Sequence, residues 1–323
     1  MTRWLVLIAV VAAVLLGAVA LGPAPLGLVD VWRGLTGSAE GPAATIVRDL
    51  RLPRVLLAFL VGGSLSVTGA ALQALVRNPL ADPYLLGLSG GAGLGAVTAI
   101  ALQLTSPWAV PVAALVGAIG AILLVYRVAV VTGSVLDTRV LLLGGVVVGA
   151  FAASVMGAIM ALSPAPEVRN ALMWLLGSFG RASWQAVAVF AAYAVIPLAV
   201  LYGLARPLDL LALGEEPARF LGTDVERTKR VLYLTASALT AVAVSLSGII
   251  GFVGLVVPHA VRLTWARLHR ALLPAAFVVG GALVVIADAL ARTVFAPLEM
   301  PVGIVTALIG VPVFVLLVRR WAS

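Results

Sequence analysis

Residues 50–96 read LRLPRVLLAFLVGGSLSVTGAALQALVRNPLADPYLLGLSGGAGLGA, and this stretch decides what kind of molecule the chain is. Arg51, Pro53 and Arg54 stand at the start of a long helix built of small and apolar residues. The helix breaks at Arg77-Asn78-Pro79-Leu80-Ala81-Asp82-Pro83, because proline lacks a backbone donor and biases the residue before it away from helix. A glycine-rich apolar segment then re-enters. No water-soluble fold hides so much apolar helix, so its solvent is lipid.

Working outward, the rest of the chain agrees. Of 323 residues, 63% are hydrophobic and 11% charged, with mean hydropathy +1.17. Soluble domains carry about 25% charged residues. Long continuous apolar runs exclude an outer-membrane barrel, which needs short alternating strands. At roughly 20 residues per span, the length allows about ten crossings and no soluble domain. With no cysteine, disulfides and thiolate metal sites are excluded. The net charge of +8 reports orientation in the membrane rather than affinity for nucleic acid.

Hydropathy and chain breakers predict spans near 4–22, 47–76, 88–104, 108–131, 138–162, 184–204, 230–248, 253–267, 271–294 and 302–319. A polar segment fills 23–46, a short amphipathic piece 167–178, and the most charged segment 205–228. Residues 4–21 resemble a signal peptide, but the apolar run exceeds the usual h-region, and it is read as a retained first span. With Arg3 inside, both termini are inside. Seven arginines then face out: Arg33, Arg48, Arg51, Arg54, Arg169, Arg181 and Arg292; the other fourteen basic residues face in, as the positive-inside bias requires. Gly62-Gly63-Ser64, Gly144-Gly145 and Gly149-Ala150 let helix backbones approach closely in lipid. A faint repeat pairs Arg54-Val55-Leu56 and Ser66-Val67-Thr68-Gly69 with Arg230-Val231-Leu232 and Ser245-Leu246-Ser247-Gly248, on helices of opposite direction.

Segment 207–230, PLDLLALGEEPARFLGTDVERTKR, predicts two short helices at the inner face. The first covers 208–213 and ends in a turn at Gly214. The second starts at Glu215, with Pro217 in its first turn, and stops at Gly222. Acid at a helix start and glycine past its end are the expected caps. A plain connector does not need two capped helices, so this reads as a docking surface; an interfacial loop without a partner is the alternative. Asp288 and Arg292 are spaced for an i,i+4 ion pair. His259, within GIIGFVGLVVPHAVR at 248–262, lacks a second histidine or acid and reads as packing or capping; His269 reads as a surface loop residue. Met156, Met160 and Met173 read as core. Residues 87–95 lack the lysine and Ser/Thr of a phosphate loop, and no HExxH or GxSxG occurs. The chain is therefore read as no enzyme, with no metal site.

In order, these motifs resemble the FecCD-type permeases, the membrane subunits of ATP-driven importers for vitamin B12, haem and iron–siderophores. The resemblance covers residues 4–320. It implies an all-α, ten-helix, polytopic bundle, a single domain over 1–323 in a bacterial inner membrane. It implies a homodimer with two cytosolic ABC ATPase subunits below and a periplasmic binding protein above. ATP and Mg belong to the ATPase, and this chain holds no cofactor. The loop at about 205–228 matches the coupling helices, through Leu208, Leu213, Gly214, Glu215, Glu216, Ala218, Arg219, Leu221 and Gly222. Pro217 is less typical and leaves the start of the second helix open.

By the same resemblance, Arg51, Arg54 and Arg292 match arginines that receive acidic residues of the binding protein. A guanidinium fork grips carboxylates bidentately and keeps its charge; the alternative is snorkelling to lipid phosphate. Asn78, Pro79 and Leu80, with the turn at 135–138, match the cytoplasmic gate. Asp137, before Thr138, departs from the small polar residue usual there, and simple interhelical turns are the alternative. Glu299-Met300-Pro301-Val302-Gly303 matches the closing motif and shapes the outer mouth. The substrate is expected to cross as an intact chelate, with iron chelates favoured among the three classes. The competing class is an ion-coupled secondary transporter with inverted repeats, which would place ionisable groups at mid-membrane.

Overall fold

A computed structural model describes residues 2–24, 26–37, 41–131 and 137–322, without the side chains of 2, 28 and 317–322. Residues 135 and 136 of the expected gate turn lie outside this set. The described residues form helices and connections. Helix α1 (Thr2–Ala20) leads to a short amphipathic α2 (Leu28–Thr36). Next, α3 (Pro42–Thr45) runs through a π-helical turn (Ile46–Arg51) into α4 (Leu52–Val76). A 3-10 turn (Pro83–Leu86) precedes α5 (Leu88–Ala101), followed by α6 (Ala109–Val131), α7 (Thr138–Leu162), α8 (Ala165–Leu175) and α9 (Trp184–Gly203). The chain continues with α10 (Ala205–Leu213), α11 (Glu215–Phe220), α12 (Val225–Ser247), α13 (Val253–Thr264), α14 (His269–Thr293) and α15 (Val302–Ala322).

Among the described residues seven helices are long and apolar enough to cross a membrane, and α5, α13 and Val302–Leu316 are shorter apolar helices. In number and position they correspond to the ten expected spans. The reading of 23–46 as merely polar missed α2, whose Asp30 caps its first turn and whose chain leaves through Gly37 at φ 89°. Large side chains such as Leu143, Val146, Val147 and Phe151 on α7 stand more than half exposed, which costs nothing against lipid tails.

The core is built around α4, buried along nearly its whole length and packed against α14, α12, α13 and α9. Backbones meet where glycine removes the side chain. A Cβ on Gly69 would overlap the Gly254 carbonyl of α13, and one on Gly62 would strike Val284 of α14 at 2.6 Å. Close approach of this kind supplies the van der Waals contact that holds helices together in lipid.

The bundle has two chemically distinct ends. Arg54 at the start of α4 meets Asp288 near the end of α14, defining an arginine end. The opposite end holds α10, α11 and the start of α12, and is called the hairpin end. Helices α4 and α12 run in opposite directions, and each is followed by irregular backbone and a short helix, α5 or α13. This is the inverted arrangement that the faint repeat suggests. The two irregular segments meet inside the protein, where the Tyr84 hydroxyl donates to the Ile250 carbonyl and accepts from the Ile250 N–H, both at 3.1 Å. Non-helical backbone at membrane depth survives only when so satisfied.

Candidate functional site

At the hairpin end, Leu208 and Leu211 of α10 are buried while Leu213 stands 68% exposed. Gly214 then adopts φ 129°, ψ 161°, a conformation side chains avoid, and turns the chain into α11. Ala218, Leu211 and Val225 form a small apolar core of their own. Gly222, at φ 83°, ends the unit with its N–H donating to the Arg219 carbonyl at 2.9 Å. Asp224 then caps α12 by accepting from the Arg227 N–H at 3.0 Å. Both predicted short helices are present, the first beginning earlier, at Ala205, and neither start carries a side-chain cap.

The charges of the hairpin divide into two sets. Glu215 accepts from Lys229 Nζ at 3.0 Å, and that lysine side chain is only 3% exposed. Arg219 pairs with Glu226 at 3.3 Å on the surface. Glu216 is left facing outward beside Phe220 and Leu221, which are 90% and 58% exposed. An exposed phenylalanine on a polar loop is an unsatisfied apolar surface of the kind partners cover.

At the arginine end, the three guanidinium groups expected to receive acidic residues of a binding protein are all engaged within the chain. Arg51 is buried and donates to the carbonyls of Val19 and Ala20 at 3.0 and 2.7 Å, and to that of Ala24. Its fork lies across Gly22, where any Cβ would collide with it. Arg54 grips Asp288 through Nε and Nη2 at 2.9–3.1 Å, and reaches Glu299 through Nη1 at 2.9 Å. Arg292 is also buried and donates to the Ala18 carbonyl at 2.6 Å, while its Nε lies 3.7 Å from Asp288. So the sequence-spaced Asp288–Arg292 pair is the weaker one, and Arg54 is the principal partner of Asp288. Arg51 and Arg292 fasten the end of α1, a task the sequence spacing did not reveal.

The residues expected at the gate form locally capped turns. Arg77 takes a left-handed conformation, and the Asn78 side chain accepts from the Leu80 N–H at 2.9 Å, with Pro79 between them. Asp137 caps α7 by accepting from the Arg139 N–H at 2.8 Å, beside Thr138. Behind the first turn, Gln73 donates to the Leu255 carbonyl at 3.2 Å and accepts from Arg262. The 3-10 turn packs on α7 so closely that a Cβ on Gly145 would overlap the Leu85 carbonyl. Gln73 and Tyr84 organise this region, and nothing in their spacing singled them out.

His269 is a correction. It is not a surface loop residue but the first residue of α14, 3% exposed, with Nδ1 2.6 Å from Asp209 Oδ1 of α10. Met156 packs against Gly93 of α5 but is only half-buried, as is Met160, and Met173 stands 45% exposed, so the three are not the core residues expected. Among the described residues no cluster of three His, Asp or Glu side chains could hold a metal ion. A cavity of about 730 Å³ opens at the arginine end between the α5–α6 connection, α8, α9 and the end of α12. It is lined by polar and aromatic groups including Gln103, Trp108, Glu167, Trp174 and Arg181.

The model of the FecCD transport family matches residues 5–320. The cobalamin import system permease protein BtuC of Halobacterium salinarum is 46% identical over 296 residues, covering 89% of this chain and 79% of that one. The hemin transport system permease protein HmuU of Yersinia pestis is 39% identical over 319 residues, covering 95% and 93%. A solved metal-chelate type ABC transporter in an inward-facing conformation superposes with TM-score 0.88 at 26% identity, covering 99% of each chain.

Proposed function

Since this chain belongs to the FecCD transport family, we propose that it carries an intact metal chelate inward across the cell membrane, driven by a separate ATPase. It is a permease subunit of an ABC importer, not an enzyme. The observation that carries the coupling role is the hairpin with Leu213, Phe220 and Leu221 exposed. These exposed apolar residues, on a hairpin with a small apolar core of its own, suit a groove on a cytosolic ATPase with its bound ATP and Mg. The hairpin end then faces the cytoplasm, with both chain termini, and the arginine end faces out.

Two copies of the chain with two ATPases form the working complex, and a binding protein docks on the outward face. Of the three arginines assigned to that docking, Arg54, with a side chain 12% exposed, is the one with an edge toward the surface, held there by Glu299. Docking therefore centres on the Arg54–Glu299 rim, with Arg51 and Arg292 as its structural support. The substrate class is a corrinoid, haem or iron–siderophore, of which we take the iron chelates. No strong ligand needs to be removed from the cargo, because neither histidine faces the outer half.

A secondary transporter is disfavoured by Asp288. This acid is gripped by Arg54 at one end of the bundle instead of standing free at mid-membrane. The test is uptake into proteoliposomes of cyanocobalamin, haemin and a ferric siderophore in parallel. Uptake of one of them that needs ATP, the ATPase and the binding protein is expected; uptake driven by an ion gradient alone would refute the proposal.

A further inference from the structure

Helix α14 joins the two ends of the molecule. Its first residue, His269, sits against the hairpin end, and Asp288 and Arg292 belong to the arginine end. At roughly 1.5 Å per residue, His269 and Asp288 are about 28 Å apart along the axis. Between them α14 lies directly on α4. A Cβ on Gly281 would strike the Phe59 carbonyl at 2.7 Å, and the rings of Phe59 and Phe277 meet edge to face at 5.7 Å. A helix held this closely transmits an axial or tilting displacement with little slack.

The start of α14 has no cap of its own, since Leu268 at the cap position offers no side-chain acceptor. Asp209 of α10 supplies it from another helix. One carboxylate oxygen, Oδ1, accepts the His269 backbone N–H at 2.9 Å and lies 2.6 Å from the ring Nδ1. A carboxylate accepts and cannot donate, so Nδ1 carries the proton. The negative charge also sits at the positive end of the α14 dipole. Flanking Leu208 and Leu211 are buried, but apolar contacts alone allow sliding. Two hydrogen bonds on one oxygen fix the register between α10 and α14.

We propose that Asp209 and His269 are positioning residues for transport, clamping the hairpin to α14 so that its displacement by the ATPase is delivered to the outer end. This rests on the coupling role proposed above. The readout is substrate accumulated per ATP hydrolysed by the reconstituted complex, scored on whichever of cyanocobalamin, haemin or a ferric siderophore the unaltered protein takes up. That ratio does not change when a variant merely lowers the amount of folded complex.

Asp209→Ala and His269→Leu should lower the ratio at least fivefold. Asp209→Asn, which keeps an acceptor oxygen, and His269→Asn, whose amide nitrogen stands where Nδ1 stood, should retain at least half of it. A ratio equal to that of the unaltered protein in Asp209→Ala and His269→Leu would overturn the clamp, as would losses of hydrolysis and uptake in equal proportion. If the unaltered complex shows no ATP-dependent uptake, the coupling role itself fails, and the clamp fails with it.

Discussion

Replacing Arg54 by alanine removes two N–H donors that make three contacts with Asp288, a residue 1% exposed. The nearest remaining cation, Arg292, has its Nε 3.7 Å away, beyond hydrogen-bonding range, and already donates to Ala18. Breaking a buried pair by deleting one partner costs about 3–5 kcal/mol, because the charge left behind stays desolvated. The lost Glu299 contact adds under about 1 kcal/mol, since that carboxylate is 40% exposed. At about 2–4 °C per kcal/mol for chains somewhat smaller than this one, the detergent-solubilised variant should melt about 6–24 °C below the unaltered protein. Arg54→Ala combined with Asp288→Asn removes the stranded charge and should recover at least half of the loss. Scanning fluorimetry reads both. A single variant melting within a degree of the unaltered protein would show that Asp288 does not depend on Arg54. The same experiment separates support from docking, because a binding-protein defect in an unstable arginine variant says nothing about the docking surface.

Phe220→Ala should weaken association with the ATPase by about 2–3 kcal/mol, a 30- to 150-fold change in Kd, as expected for an aromatic anchor; titration of the purified subunits reads it. Glu216→Lys should act on that surface alone, whereas Glu215→Lys should also melt the hairpin by setting a second cation against Lys229, which thermal unfolding of the two variants distinguishes. Gly69→Ala should cost about 1–3 kcal/mol by forcing α4 off α13, while Gly120→Ala, with open space around it, should be neutral or stabilising in the same melt. Tyr84→Phe should leave the buried Ile250 N–H and carbonyl without their partner, at about 1–3 kcal/mol. Faster hydrogen exchange at 248–252 checks it.

The spans were legible because lipid demands long uninterrupted apolar runs, and loops such as Thr105-Ser106-Pro107 punctuate them. The hairpin was legible for a similar reason: Gly214, Glu215 and Gly222 announce turns and caps that depend only on neighbours in sequence. Pairings across the bundle were not. Asp209 and His269 are 60 positions apart, and Arg54 and Asp288 are 234 apart. Spacing within α14 favoured Asp288 with Arg292 instead. Arg51 and Arg54 look alike in sequence, yet the π-helical turn ending at Arg51 aims one at the carbonyls of α1 and leaves the other for carboxylates. Short amphipathic α2 was hidden by its brevity, since nine residues carry too little periodicity to stand out from a polar loop.

Coupling requires the hairpin to meet an ATPase in the cytosol, and the orientation of the chain tests this most directly. The chain has no cysteine, so single replacements at Phe220, 90% exposed on the hairpin, and Leu298, 74% exposed at the arginine end, are unique targets for a membrane-impermeant maleimide. With the outer leaflet accessible in intact spheroplasts, Leu298→Cys should label at once, and Phe220→Cys only after the membrane is opened. Labelling of Phe220→Cys from outside would contradict the account.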